Sequence, residues 1–235
     1  MKGRFISRRI LFAVVFAALS AALAFQANPA SSSLLRLMIG WFTANAIAVS
    51  FAYFTNSSWI FGKTEQGKLR WIPAVLMTPL LSFFRFVWTL QNVIVRSPLY
   101  SEVTPDLFVG RICNYESLPD GITMFVDLTA EFPTPCSVRE RLPTICIPTL
   151  DGCILDWESC RRAYESLLKR QQRIYVCCAN GHGRSVTFAA AWLGYSGICH
   201  SATEAINLIR THRPQASPNR DQMNFLEQVF QLMNT

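Results

Sequence analysis

Acidic residues are almost missing from the first 96 positions of this 235-residue chain. Glu65 stands alone there against ten lysines and arginines, a net +9 that leaves −2 for the remainder of a +7 protein. The positive charge therefore belongs to a strongly apolar third, not to a polar, aromatic-studded face, and this excludes nucleic acid as the expected partner. Cysteine is absent before Cys113, and none of the eight cysteines pairs in the C-x-x-C spacing of a zinc site. No Gly-Lys-Ser/Thr follows a glycine-rich stretch, which excludes a Walker loop. Neither metal nor cofactor is expected. A soluble part of this size builds its own core without covalent staples, so the thiols are expected to be reduced.

What the first third does contain is hydrophobic length. Ile10 to Phe25 (ILFAVVFAALSAALAF) is uncharged and follows a basic start; Leu37 to Phe54 is a second apolar run, interrupted only by Asn45. Each is near spanning length, and together they predict two transmembrane helices. The first can also be read as a cleavable signal peptide ending at Ala22-Leu23-Ala24. Lys63, Lys68 and Arg70 follow the second run, whereas the link between the runs carries only Arg36. The positive-inside bias therefore places residues 1–9 and 55–70 in the cytoplasm, with or without cleavage. A third stretch, Trp71 to Phe84, is too short to span and contains Pro73 and Pro79, which kink helices. In its continuation Arg85, Thr89, Asn92 and Arg96 form one stripe opposite Phe83, Phe84, Val87, Leu90 and Ile94, the pattern of a helix lying in the membrane interface. A third span through Arg85 is the alternative, and it buries a costly charge. The expected organisation is a membrane region over 1–96, two transmembrane helices plus a re-entrant or interfacial segment, then a catalytic domain over 97–235. The expected location is a cell inner membrane, multi-pass, with the catalytic domain cytoplasmic.

Beyond Tyr100 the apolar runs shorten. Leu107–Arg111, Thr123–Asp127 and Thr144–Ile147 read as strands, Asp156–Gln171 as a helix, and Arg173–Cys177 as a β-rich strand. The last runs directly into Cys178-Ala179-Asn180-Gly181-His182-Gly183-Arg184-Ser185 and a helical run, Val186–Leu193. Strand, glycine-bearing loop and helix make a phosphate cradle, in which consecutive N–H groups and a helix N-terminus face one anion. A thiol acts as a nucleophile when ionised, and a helix N-terminus with a neighbouring arginine favours the thiolate; Cys178 meets that condition. Gly181 and Gly183 allow close backbone approach, Arg184 can grip two phosphoryl oxygens, and Ser185 can hydrogen-bond the sulfur.

Cys178 to Ser185 resembles the C-x5-R-S/T loop of protein tyrosine phosphatases. The surroundings are similar to the compact dual-specificity group, especially its bacterial membrane-anchored members. Thr104 to Gly110 resembles the group's opening strand, Val126 to Thr129 its next strand, and Arg213-Pro214 through Ser217-Pro218-Asn219 the start of its final helix. The resemblance covers roughly Tyr100 to the C-terminus and implies a tyrosine-phosphatase-like α/β sheet flanked by helices, after an N-terminal helical membrane region. It implies hydrolysis through a phosphocysteine on Cys178, with Ala179, Asn180, Gly181, His182, Gly183 and Arg184 binding the phosphate. Where the family keeps a histidine that orders the loop, this chain has Cys177, a vicinal thiol able to form a reversible disulfide with Cys178.

Expelling an alkoxide needs a proton, so a carboxylic acid is expected on a mobile loop facing the cradle. Asp151, in Pro148-Thr149-Leu150-Asp151-Gly152, resembles the acid loop of the bacterial dual-specificity group; an ordinary Asp-Gly turn is the plain reading. Asp156 is a second acid but opens a helical run and suits its N-cap. Glu131 is placed to orient Arg184, and Asn219 and Gln222 open the last helix as caps or near the attacking water. The expected substrate is a phosphotyrosine or phosphoserine protein. A membrane phospholipid is the alternative, as is a catalytically weak phosphate-binding module; the absence of lysine from the loop argues against inositol polyphosphates.

Overall fold

The structure is a computed structural model describing residues 7–26, 32–95, 97–169 and 172–233. Two long helices open the chain, α1 (Arg8–Phe25) and α2 (Ser33–Thr55). Both are long and apolar enough to cross a membrane. They pack on each other through Ala13, Phe16, Ala46, Val49, Ala52 and Tyr53, where small side chains let the backbones approach. Their outer faces expose Leu11, Val14, Leu19, Leu37, Ile47 and Phe51. Asn45, the interruption in the second apolar run, is buried, and its amide donates to the carbonyls of Trp41 and Leu76 at 2.9 and 3.0 Å. Ser50 similarly donates to Ala13 O at 2.8 Å. The amide and hydroxyl donors of the pair thus find carbonyls inside it, while Asn45 Oδ1 is buried with no hydrogen-bond partner among the described residues.

The chain then forms a short α3 (Trp71–Leu76) and α4 (Thr78–Ile94), with Pro79 in the first turn of α4. A break at Met77 stands where the sequence predicts a kink. The polar stripe of α4 does not simply face water. Arg85 and Thr89 are exposed, but Asn92 accepts a hydrogen bond from Arg111 Nη1 at 2.7 Å. Arg96 lies outside the described residues, as do residues 1–6 of the basic start, 27–31 of the link between the apolar runs, and 170–171 at the end of the helix expected over Asp156–Gln171.

The rest is a five-stranded sheet. Its strands are β1 (Tyr100–Thr104), β2 (Leu107–Arg111), β3 (Met124–Thr129), β4 (Thr144–Thr149) and β5 (Ile174–Cys178). The order is β1-β2-β5-β3-β4, with β1 antiparallel to β2 and the other pairings parallel. The helices are α5 (Cys136–Arg139), α6 (Trp157–Leu168), α7 (Arg184–Tyr195), α8 (Ala202–His212) and α9 (Arg220–Met233). Central β5 is buried on both faces, as a strand with parallel neighbours should be. Ile174, Val176 and Cys178 join the core built with α6 to α9, while Tyr175 and Cys177 join Phe108 and Phe125 on the other face. This is the tyrosine-phosphatase-like α/β fold that the sequence implies.

Helical region and sheet share a third apolar cluster, in which Phe16, Tyr53, Phe61 and Leu80 meet Ala130, Leu150 and Cys153. An ion pair crosses beside it. Lys63, between α2 and α3, donates to Asp127 Oδ2 at 2.6 Å, Thr129 O at 2.8 Å and Thr129 Oγ1 at 2.9 Å, and both charged side chains are fully buried.

Candidate active site

The loop Ala179–Gly183 joins β5 to α7, which starts two residues before the run seen in the sequence and so takes Arg184 and Ser185 into its first turn. Four successive loop carbonyls are tied outward. Trp88 Nε1 of α4 donates to Ala179 O at 2.8 Å, and Arg213 Nη2 to Asn180 O at 3.3 Å. Arg213 Nε donates to Gly181 O at 2.7 Å, and Ser217 N to His182 O at 2.8 Å. With the carbonyls held outside, the amides are left for the inside of the ring, which makes it a nest for an anion at a helix N-terminus. Gly181 N lies 3.2 Å from Cys178 Sγ and donates to it, and Ser185 Oγ is 3.4 Å from the same sulfur. Gly181 has φ +73°, and a Cβ there would lie 2.6 Å from the Gly110 carbonyl group and 2.7 Å from Arg213 Nη2, so glycine is required.

Arg184 is buried and held from one side. Its Nη1 donates to Glu131 Oε2 at 3.0 Å and Thr149 O at 2.6 Å, and its Nη2 to Glu131 Oε1 at 2.7 Å. Asp151 Oδ1 is 3.2 Å from Nη2. Burial works against the charge, but the carboxylates of Glu131 and Asp151 outweigh it and raise the guanidinium pKa above its ordinary value. The remaining donor, Nε, is buried with no hydrogen-bond partner among the described residues. A cation fixed in orientation with one N–H unpaired beside the nest is arranged to receive an oxyanion.

Asp151 is largely exposed, in a turn whose backbone is tied to α9. Asn219 and Gln222 cap the start of α9 reciprocally, and their side-chain amides also donate to Gly152 O at 2.7 Å and Cys153 O at 3.1 Å. On the other side Gly152, at φ +73°, abuts Phe12 and Arg8 of α1. Asp156 is the N-cap of α6, accepting from Ser159 N at 2.9 Å.

A reversible disulfide between Cys177 and Cys178 does not suit this geometry, because successive strand side chains point to opposite faces. Cys177 packs with Phe125 and Tyr175 while Cys178 faces α7, and all eight cysteines are free thiols. Burial, with Asp127 nearby, pushes the Cys177 thiol pKa up, so it stays neutral. His182 is half-buried, and its pKa is pushed down by burial and by Arg213 and Arg111. The residues the sequence did not single out are Trp88, Thr149 and the loop-holding role of Arg213. The Arg-Pro pair at 213 was the one local signal.

Fold and cradle together define a cysteine-based phosphatase. Residues 119–234 match the family described as dual specificity phosphatase, catalytic domain. A comparison with curated proteins by sequence finds no match. Among solved structures, PTPMT1 in complex with PI(5)P is similar at 18% identity and TM-score 0.52, over 58% of this chain and 97% of that one. Tk-PTP in its active form is similar at 23% and 0.51, over 57% and 97%. A human DUSP28 variant is similar at 23% and 0.51, over 58% and 97%. At these identities the likeness is one of fold.

Proposed function

We propose that this chain is a membrane-anchored phosphomonoesterase in which Cys178 is the nucleophile, Asp151 the general acid and Arg184 the oxyanion clamp. The observation that carries the reading is a loop whose carbonyls are tied outward around Cys178, with the Gly181 N–H on the sulfur and Arg184 Nε buried and unpaired. The Cys178 thiolate attacks phosphorus while Asp151 gives its proton to the leaving oxygen, releasing the alcohol and leaving a phosphocysteine. Asp151, now a carboxylate, takes a proton from water as that water attacks phosphorus, and Ser185 donates to the departing sulfur. The N–H groups of Ala179, Asn180, Gly181, His182 and Gly183, with Arg184, hold the equatorial oxygens through both steps, where most of the rate enhancement arises. Residues 1–96 anchor the catalytic part, 97–235, through α1 and α2 as a hairpin whose basic ends lie on the cytoplasmic side.

The test is turnover of an aryl phosphate by the full chain in detergent. Cys178→Ser should be inert, and Asp151→Asn should lose on the order of a hundred-fold in kcat. Rapid quenching should trap phosphate on Cys178 in the wild type. Full activity in Cys178→Ser would sink the assignment.

A further inference from the structure

The mouth of the cradle opens into an apolar cavity of about 300 Å³, and the membrane helices form most of its wall. It is lined by Asp151, Ala179 and Asn180 of the site, by Phe12 and Phe16 of α1 and by Phe84 and Val87 of α4, with Phe12 also against Gly152 of the acid turn. Val15 and Phe83 also line it while remaining half exposed, so it opens sideways between α1 and α4. There the outer faces of both helices present Leu11, Leu19, Phe86 and Leu90. Phe16 lies eight residues into α1 from Arg8, so the cavity reaches about 12 Å down from the end where Arg8 touches Gly152. That is the end at which lipid headgroups meet water, with acyl chains below.

We propose, resting on the phosphatase reading above, that the substrate is a phosphomonoester of a membrane lipid. Its headgroup phosphate enters the cradle and the first part of its acyl chain lies in the cavity between α1 and α4. The alternative, a phosphoprotein side chain, must approach a mouth flanked by these same two helices. Trp88 and Gln91 of α4 hold Ala179 and Asn180 directly, so the flank is part of the site and not a displaceable cover. The walls between the loop and the lipid-facing opening are aromatic and aliphatic, with Glu131 and Asp151 confined to the cradle end. They match a hydrocarbon chain and not the polar backbone of a peptide.

The test places the full chain in nanodiscs and compares kcat/KM for butyl, hexyl and octyl phosphate, an aryl phosphate and a phosphotyrosine peptide. Each methylene moved into an apolar site is worth about four-fold, so octyl should exceed butyl phosphate by about two hundred-fold. Val87→Glu, which puts a charge in the cavity, should cut that ratio at least ten-fold; Val15→Trp, which blocks the half-exposed opening, should do the same without altering the buried wall. Three results overturn the proposal alone while aryl phosphate is turned over: equal rates on butyl and octyl phosphate, an unchanged ratio in both variants, or a phosphotyrosine peptide preferred to octyl phosphate. Inertness toward every phosphate overturns the phosphatase reading as well.

Discussion

Replacing Lys63 by Met should destabilise the protein by about 3 kcal/mol, and the reasoning lies in what the ammonium leaves behind. Asp127 is fully buried, and Lys63 is the cation that neutralises it. Breaking a buried pair from one side typically costs about 3–5 kcal/mol, because the partner charge stays in a low-dielectric site. Asp127 keeps three donors in the variant: Thr134 Oγ1 at 2.6 Å on Oδ2, and Thr129 N at 2.8 Å and Thr129 Oγ1 at 2.7 Å on Oδ1. These place the cost at the low end of that range, yet well above the 0–1 kcal/mol of an exposed pair. Lys63→Met/Asp127→Asn removes the stranded charge while keeping an acceptor for Thr129, so it should recover at least half of the loss. Urea unfolding of the full chain in mild detergent, followed by tryptophan fluorescence, measures all three. A cost below about 1 kcal/mol for Lys63→Met, or a double variant worse than the single, would refute the argument that this pair ties the helical region to β3.

Arg213→Lys should lower kcat and weaken inhibition by inorganic phosphate by about ten-fold each, since one ammonium cannot serve the carbonyls of Asn180 and Gly181 together. Steady-state kinetics check this. His182 has its pKa depressed by burial, so the unfolded chain binds its proton first as pH falls below about 6.5, and stability is lost downward from there; His182→Gln should flatten urea-derived stability between pH 6.5 and 5 and leave it unchanged above 7. Burial pushes the thiol pKa of Cys146 up to about 11 and of Cys153 up to about 12, and raises that of Cys177. Brief iodoacetamide treatment at pH 7.5 should therefore leave Cys153 and Cys177 unmodified in peptide mass spectra; rapid labelling of either contradicts the burial argument.

The parts of the fold legible in the sequence are those whose signal is local. Leu107–Arg111 reads as a strand because a short run built on Phe108 and Val109 sits between turn signals, and β2 has those bounds. Asp156 reads as a cap because its carboxylate needs only the N–H three residues ahead. α7 starts two residues before the helical run the sequence shows, because Arg184 and Ser185 look like loop chemistry although a cradle needs them inside the first helical turn. Nothing in the sequence separates β1 from the Thr104–Gly110 stretch, since its pairing with β2 is a tertiary fact. The polar stripe of α4 shows the same limit. Periodicity puts Arg85, Thr89 and Asn92 on one stripe, but Asn92 meets Arg111 where the pattern implies water.

Of the site, the chemistry-bearing residues were legible and the residues that shape them were not. Cys178, Arg184 and Ser185 fall within eight positions, so their spacing carries the signal by itself. A cradle also needs its carbonyls pulled outward, and that takes donors from elsewhere in the chain: Trp88 from 91 positions before the loop, and Arg213 from beyond α8. The Arg213-Pro214 pair is the only local mark of either, because an indole or guanidinium bonded to a main-chain oxygen leaves no sequence pattern. The consequence concerns how the two regions relate. Trp88 holds the loop, Phe12 backs the acid turn and Lys63 neutralises Asp127, whose strand neighbour in β5 is Cys177. Each comes from the first 96 residues, so a chain cut at Ser97 would keep every residue of the motif while losing one carbonyl tie, one wall of the acid turn and the counter-charge beneath the nucleophile's strand. The helical region is therefore part of the framework that shapes the candidate site.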